Sequence, residues 1–158
     1  MSAWRKSEHS GASVRAALAR QPLARRARVY LLALGVMGTE RYLARVGLQK
    51  TQRHAAVLAR ALGVITPAGD GTQLYEDLQH AGILLGSSSL CLPHSLVGLV
   101  CYGALKQPVE LVQGVRRVGH RLDFHAWLER DGALVFSTDD EAHTWTRLES
   151  PSAHRAPR

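Results

Sequence analysis

Three observations predict an α+β fold in which a helical N-terminal layer precedes a cysteine-bearing helix packed on an antiparallel sheet. Up to residue 65, apolar residues recur at helical spacing. Val29, Leu32, Ala33, Val36 and Met37 follow the i, i+3, i+4, i+7, i+8 pattern of a helix with one buried face. From residue 109 the chain breaks into short runs rich in valine, leucine and aromatic residues, the composition of strands. Between them a serine-rich turn, Gly86-Ser87-Ser88-Ser89, leads into Cys91-Leu92-Pro93-His94-Ser95-Leu96. The chain is therefore read as a helical region over residues 1–65, a core over 66–150 and a disordered tail over 151–158 that carries Pro151 and Pro157.

Each element has its own signal. Residues 1–12 are polar or small and are expected to fray. Pro22 stands near the start of the first long helix, where its missing N–H costs nothing. Ala55, Leu58, Ala59 and Leu62 define a second helix, with Gly63 as its expected stop. Thr66-Pro67-Ala68-Gly69-Asp70-Gly71 reads as a loop, and residues 74–81 as a short helix. The helix opened by Cys91 is expected to reach about residue 106, with Pro108 ending it. Strands follow at 109–115, 122–129 and 133–137, and an amphipathic turn over 141–148 closes the core. Gly114 reads as a bulge or a strand end.

Composition excludes several classes. At 158 residues the chain suits one domain with a workable core. The longest apolar candidate, Val29 to Gly38, falls short of the ~18 residues of a membrane span, and the N-terminus lacks a signal-peptide pattern. On one helix, Cys91 and Cys101 would stand roughly 15 Å apart along the axis, beyond the ~7 Å that a disulfide tolerates. Cys101, amid Leu99, Val100 and Tyr102, reads as a core residue, and the thiols fit a reducing cytoplasm. Eight histidines form no His-Glu-x-x-His pair and no Cys-x-x-Cys clamp accompanies them, so neither metal nor cofactor is expected. Cys91 and His94, three apart on a helix, are a poor metal pair. His94 is assigned to a cleft rim or the surface.

Charge is split along the chain. Residues 1–60 hold 12 Lys or Arg against Glu8 and Glu40, a net of +10, and residues 61–158 hold eight against 11, a net of −3, giving the overall +7. Arg15, Arg20, Arg25, Arg26, Arg28, Arg41 and Arg45 are spread over helical faces without aromatic interleaving or a recognition motif. The asymmetry therefore points to a solvated helical face, or to an acidic protein or peptide, ahead of nucleic acid or a membrane.

The chemistry lies in two elements. Cys91 opens a helix, where unpaired N–H groups and the macrodipole favour a thiolate, and Pro93 fits that first turn. His125, 34 residues on, lies in the strand Phe124-His125-Ala126-Trp127-Leu128-Glu129. It can hold the pair as thiolate and imidazolium and then protonate a leaving amine. Trp127 shares the face of His125 and either shields the pair, walls a groove or fills the core.

Together these words resemble the leader peptidases of lasso-peptide biosynthesis, which are transglutaminase-like cysteine proteases. The similarity rests on Cys91-Leu92-Pro93-His94-Ser95-Leu96, then Val109-Glu110-Leu111-Val112-Gln113-Gly114-Val115-Arg116, then His125-Ala126-Trp127-Leu128-Glu129-Arg130-Asp131-Gly132. It is good over residues 81–148 and only compositional before them. It implies a transglutaminase-like (papain-like) core, Cys91 as nucleophile and His125 as base then acid, with the N–H of Cys91 helping to hold the oxyanion. It also implies a precursor peptide as substrate, a separate leader-recognition protein as partner, and a lasso cyclase in the same pathway. The first 65 residues lack the alternating strands of a fused recognition domain, so a stand-alone peptidase is expected.

The chain departs from the family at the third catalytic position. An aspartate is usual 12 residues after the histidine, and here Ser137 stands there. If Arg130-Asp131-Gly132 form a three-residue hairpin loop, Ser137 lies opposite His125. Asp139 is then its diagonal neighbour on the same face, about 7–8 Å away, and Asp140 points to the other face. Asp139 is accordingly the candidate that orients His125, with Ser137 as a neutral alternative. Asp139-Asp140-Glu141 could instead cap a short final helix. Two further readings stay open: an acyl transferase that uses the same residues, and a binding module that has lost catalysis with its aspartate.

Overall fold

A computed structural model describes residues 11–65, 71–86, 91–137 and 144–148. The architecture is α+β. Among the described residues five helices, α1 (Gly11–Ala19), α2 (Leu23–Val46), α3 (Leu48–Ile65), α4 (Thr72–Leu85) and α5 (Cys91–Ala104), precede β1 (Glu110–Val118), β2 (Arg121–Arg130), β3 (Ala133–Phe136) and the two-residue β4 (Thr146–Arg147). The strands form an antiparallel sheet of order β3-β2-β1-β4. The expected serine turn, most of the 66–71 loop, Asp139 and the 151–158 tail lie outside the described residues.

The periodic apolar residues supply the core. Val29, Leu32 and Ala33 of α2 join Leu74, Leu78 and Ala81 of α4, Tyr102 of α5, Leu128 of β2 and Phe136 of β3 in one buried cluster. Residues from the basic helices and from the sheet thus share a single interior. α5 lies between them, so close to β2 that a Cβ on Gly98 would meet Leu128 Cδ1 at 2.7 Å.

Several boundaries differ from the expected ones, each for a local reason. Gly63 does not stop α3, which runs on to Ile65. The break falls at Gly47, whose φ of 81° turns the chain between α2 and α3. α5 ends at Ala104 rather than near residue 106, because Lys106 enters the left-handed region at φ 60°. The short fourth helix extends to Leu85 and is capped by left-handed Gly86. Where an amphipathic turn was expected, Thr146 and Arg147 pair with Val115 and Gly114 of β1.

Part of the basic surplus of α2 is neutralised inside the fold. Asp77 of α4, fully buried, accepts a hydrogen bond from Arg25 Nε at 2.9 Å and pairs through its second oxygen with Arg28 Nε. Glu76 also pairs with Arg25, and the two carboxylates raise the Arg25 pKa, chiefly through these hydrogen bonds. Removing one member of a buried pair leaves charge uncompensated, a cost reduced here because Arg28 is half exposed. Asp77→Ala should therefore lower the unfolding free energy by about 2–3 kcal/mol, measured by urea denaturation. A loss within a few tenths of a kcal/mol would mean that these pairs behave as surface ion pairs.

Candidate active site

Cys91 is the first residue of α5 and half-buried. In the same first turn, Pro93, His94 and Ser95 are buried. Ser95 Oγ donates to the carbonyl of Ala126 at 3.0 Å, which ties the start of α5 to the residue after His125. One turn later Gly98 touches Leu128, so α5 and β2 run in the same direction. Going back one turn from Ser95 covers about 6 Å, nearly two strand residues. Cys91 is thereby level with Phe124 and His125.

Exposure agrees with this register. Ala126 and Leu128 are covered by α5, whereas Phe124, on the same sheet face, is 66% exposed. The cover ends where the helix begins. His125 alternates onto the opposite face, so a thiol–imidazole contact would form around the N-terminal end of α5, not along its flank.

His125 is buried, pairs across the ladder with Gly114, and brings Nε2 to 2.9 Å from Ser137 Oγ. This contact depends on two features of the β2–β3 hairpin. The loop is the two-residue Asp131-Gly132, with φ of 51° and 80°, which is the sign pattern of a type I′ turn, and not the three-residue loop expected. An unbroken ladder from that turn would set Ser137 opposite Ala126, facing α5. A register shift between Leu128 and Glu129 returns it to the His125 face, diagonal to the imidazole and not directly opposite. A bulge of this kind re-aims a side chain at the cost of one ladder pairing.

Two indoles flank the imidazole. Trp145 stacks at 5.1 Å between ring centroids and 26° between planes, and Trp127 at 6.0 Å and 18°. Gly114 is neither bulge nor strand end. It stands mid-strand beneath both indoles, and a Cβ there would lie 2.8 Å from the Trp127 ring and 3.0 Å from Trp145 Cβ. Trp127 Nε1 donates to Glu129 Oε1 at 2.6 Å, and Arg147 stands 3.0 Å from the other carboxylate oxygen. Arg116 lies 4.3 Å over the Trp145 ring and donates to Thr144 Oγ1. Trp145 escaped the sequence reading. Its only signal was an aromatic residue beyond the third strand, and nothing local says that it folds back over β1.

His94 belongs neither to a rim nor to the surface. It is 1% exposed and packs against Gly82 of α4. Cys101 is partly buried, and burial pushes its thiol up to about 11. Among the described residues no group of three or more His, Cys, Asp or Glu is arranged to hold a metal ion, and no helix is long and apolar enough to cross a membrane.

A cysteine at a helix start, together with a strand histidine held by a residue next to the neighbouring strand, supplies the groups of thiol acyl chemistry. The chain belongs to the transglutaminase-like superfamily, whose family model matches residues 23–150. The match begins at the first residue of α2, so it takes in the long helices as well as the sheet. Comparison with curated proteins and with solved structures gave no match.

Proposed function

We propose that this protein is a cytoplasmic cysteine peptidase that removes the leader from a ribosomally made precursor during lasso-peptide maturation. The observation that carries the reading is the constellation around β2: Cys91 at the start of a helix tied to Ala126, and His125 held at Nε2 by Ser137. Support also comes from the three ordered motifs and from the superfamily, a fold type of cysteine proteases and acyl transferases.

In this mechanism Ser137 occupies Nε2, so proton exchange with the thiol falls to Nδ1. The Cys91 thiolate attacks the carbonyl carbon of the scissile amide, and the Cys91 N–H with a neighbouring donor holds the oxyanion. The imidazolium then protonates the departing amine, which leaves a thioester. Water, deprotonated by His125, hydrolyses the thioester and releases the leader carboxylate. No metal or cofactor is invoked. Asp139 remains the proposed charged orienter beyond Ser137.

Ser137 favours one competing reading, a binding module without turnover, because a neutral hydroxyl orients an imidazole without stabilising its charge. Acyl transfer to an amine is the other. Incubating the precursor with the protein, with and without an added primary amine, separates all three by mass spectrometry. Hydrolysis gives a free carboxylate, transfer gives an amide adduct, and a binding module leaves the peptide intact.

The basic N-terminal helices suggest a partner, a separate leader-recognition protein that presents the peptide, with a cyclase acting afterwards. Alone, the peptidase should cleave slowly, and the recognition protein should raise kcat/KM by at least about tenfold. The gain should shrink as salt screens contacts beyond about 8–10 Å. Full activity without a partner would remove the partner from the reading.

A further inference from the structure

On the side of α5 away from the sheet, a groove of about 380 Å³ opens between α2, α3 and α5. Its walls are largely apolar: Gly35, Gly38 and Tyr42 from α2, Ala55 and Leu58 from α3, and Leu96, Val97, Val100 and Cys101 from α5. Tyr42 and Leu58 are exposed despite their size, as are Leu31 and Leu34, which precede Gly38 by seven and four residues on the same α2 face. Inside the groove the polar groups are few, mainly Thr39, Thr51 and the hydrogen-bonded Tyr42–His54 pair.

The groove has a direction. Gly103 of α5 packs against Ala59, and Gly63 against Gly103 and Ala104, so α3 and α5 run in parallel. By this direction the start of α3, with the turn at Gly47 before it, lies toward the Cys91 end of α5. Arg45 and Lys50 flank that turn, and Arg41 stands one helical turn before Arg45. All three are exposed, and among the described residues no carboxylate pairs with them. Glu40, the nearest acidic residue in sequence, points from the opposite side of α2. The groove is therefore apolar along its length, and these exposed cations lie just beyond its lining, beside the α2–α3 turn.

We propose that this groove is an exosite for an apolar, acidic segment of the same peptide that Cys91 cleaves, a proposal that rests on the peptidase reading. Three considerations select that occupant. The volume suits a few side chains of an extended segment, not the flat face of a folded partner. The exposed cations beside that turn select carboxylates. The groove floor begins only five residues after Cys91 on the same helix, and about 8 Å of rise is spanned by two or three extended residues of a bound peptide.

The test uses Cys91→Ala protein and two fluorescein-labelled synthetic hexapeptides, one alternating leucine and glutamate, the other leucine and lysine. Anisotropy should show binding of the glutamate peptide only. Gly38→Phe should weaken it at least tenfold, since the new ring fills the groove. A Cβ at Gly38 meets nothing within 4 Å, and replacing a mid-helix glycine favours the helix, so the variant is expected to fold, as thermal melting will show. Arg45→Glu with Lys50→Glu should weaken binding several-fold and remove its salt dependence. In the Cys91-bearing protein, Gly38→Phe should raise KM for the precursor with little change in kcat.

No binding of the glutamate peptide, equal binding of the lysine peptide, or indifference to Gly38→Phe would each overturn the exosite. So would sedimentation showing a dimer that Gly38→Phe dissolves, because the occupant would then be a second copy. Peptide binding that responds to both sets of variants, in a protein that cleaves no precursor, would keep the groove and sink the peptidase reading instead.

Discussion

Cys91→Ala is expected to reduce precursor cleavage to background while leaving the fold intact. The truncation removes one sulfur from a half-buried position at a helix start, so it opens little cavity, and the thermal midpoint should hardly move. The chemical loss is of another order, because removing the nucleophile of a hydrolase costs on the order of a millionfold in kcat. A second measurement separates Cys91 from the other thiol. Cys101, raised to about 11 by burial, holds only about one thiolate in ten thousand at pH 7. Iodoacetamide at neutral pH should therefore label Cys91 alone, as mapped by peptide mass spectrometry. Cys101 should resist until the pH nears 11. The same group makes stability fall with pH. Below the ordinary thiol pKa of 9.0 both states keep the proton, whereas between 9 and 11 the unfolded chain releases it and the folded chain does not, so unfolding gains. Persistent cleavage by well-folded Cys91→Ala, with contaminating proteases excluded, would refute the nucleophile assignment.

The legible parts of this fold are those whose signal is local. The apolar spacing of Val29, Leu32, Ala33 and Val36 marks a helix because a buried face has to recur every three or four residues, and these residues are the ones that face the core. Cys91 begins its helix where the serine-rich turn and Pro93 said it would. Other features are not written locally. The break at Gly47 and the continuation through Gly63 both involve glycine. Which one turns the chain is decided by tertiary packing, since Gly63 is held against Gly103 and Ala104 of α5. Trp145 reaches His125 only because β4 returns to pair with β1, a long-range event with no nearby marker. His94 is a polar residue three after Cys91, yet it is buried under α4, and sequence alone could not tell the covered side of that turn from the open one. The hairpin is the most instructive case. A turn was visible at Arg130-Asp131-Gly132, but neither its two-residue length nor the register shift that keeps Ser137 on the His125 face was, because bulges answer to packing across strands.

Replacing Ser137 by aspartate should raise activity at least about tenfold and broaden its pH range upward. The Ser137 hydroxyl lies 2.9 Å from His125 Nε2, and Ser137 is buried. A carboxylate there would replace a neutral partner by an anion in a poorly hydrated site. An anion within hydrogen-bonding distance favours the imidazolium, and each unit of pKa gained corresponds to about 1.4 kcal/mol. In a thiolate–imidazolium mechanism the alkaline limb of kcat/KM follows loss of the imidazolium proton, so that limb should move to higher pH in Ser137→Asp. Ser137→Ala, which removes the hydrogen bond without adding charge, should leave the limb in place or lower it. The companion experiment concerns Asp139. If it supplies the missing charge, Asp139→Ala should reduce turnover far more than Asp140→Ala, and Ser137→Asp should largely rescue it, because the new carboxylate stands where the Ser137 hydroxyl already meets the imidazole. Equal and small effects at 139 and 140, with no response to Ser137→Asp, would mean that Cys91 and His125 act as a dyad steadied by a neutral hydroxyl and two indoles.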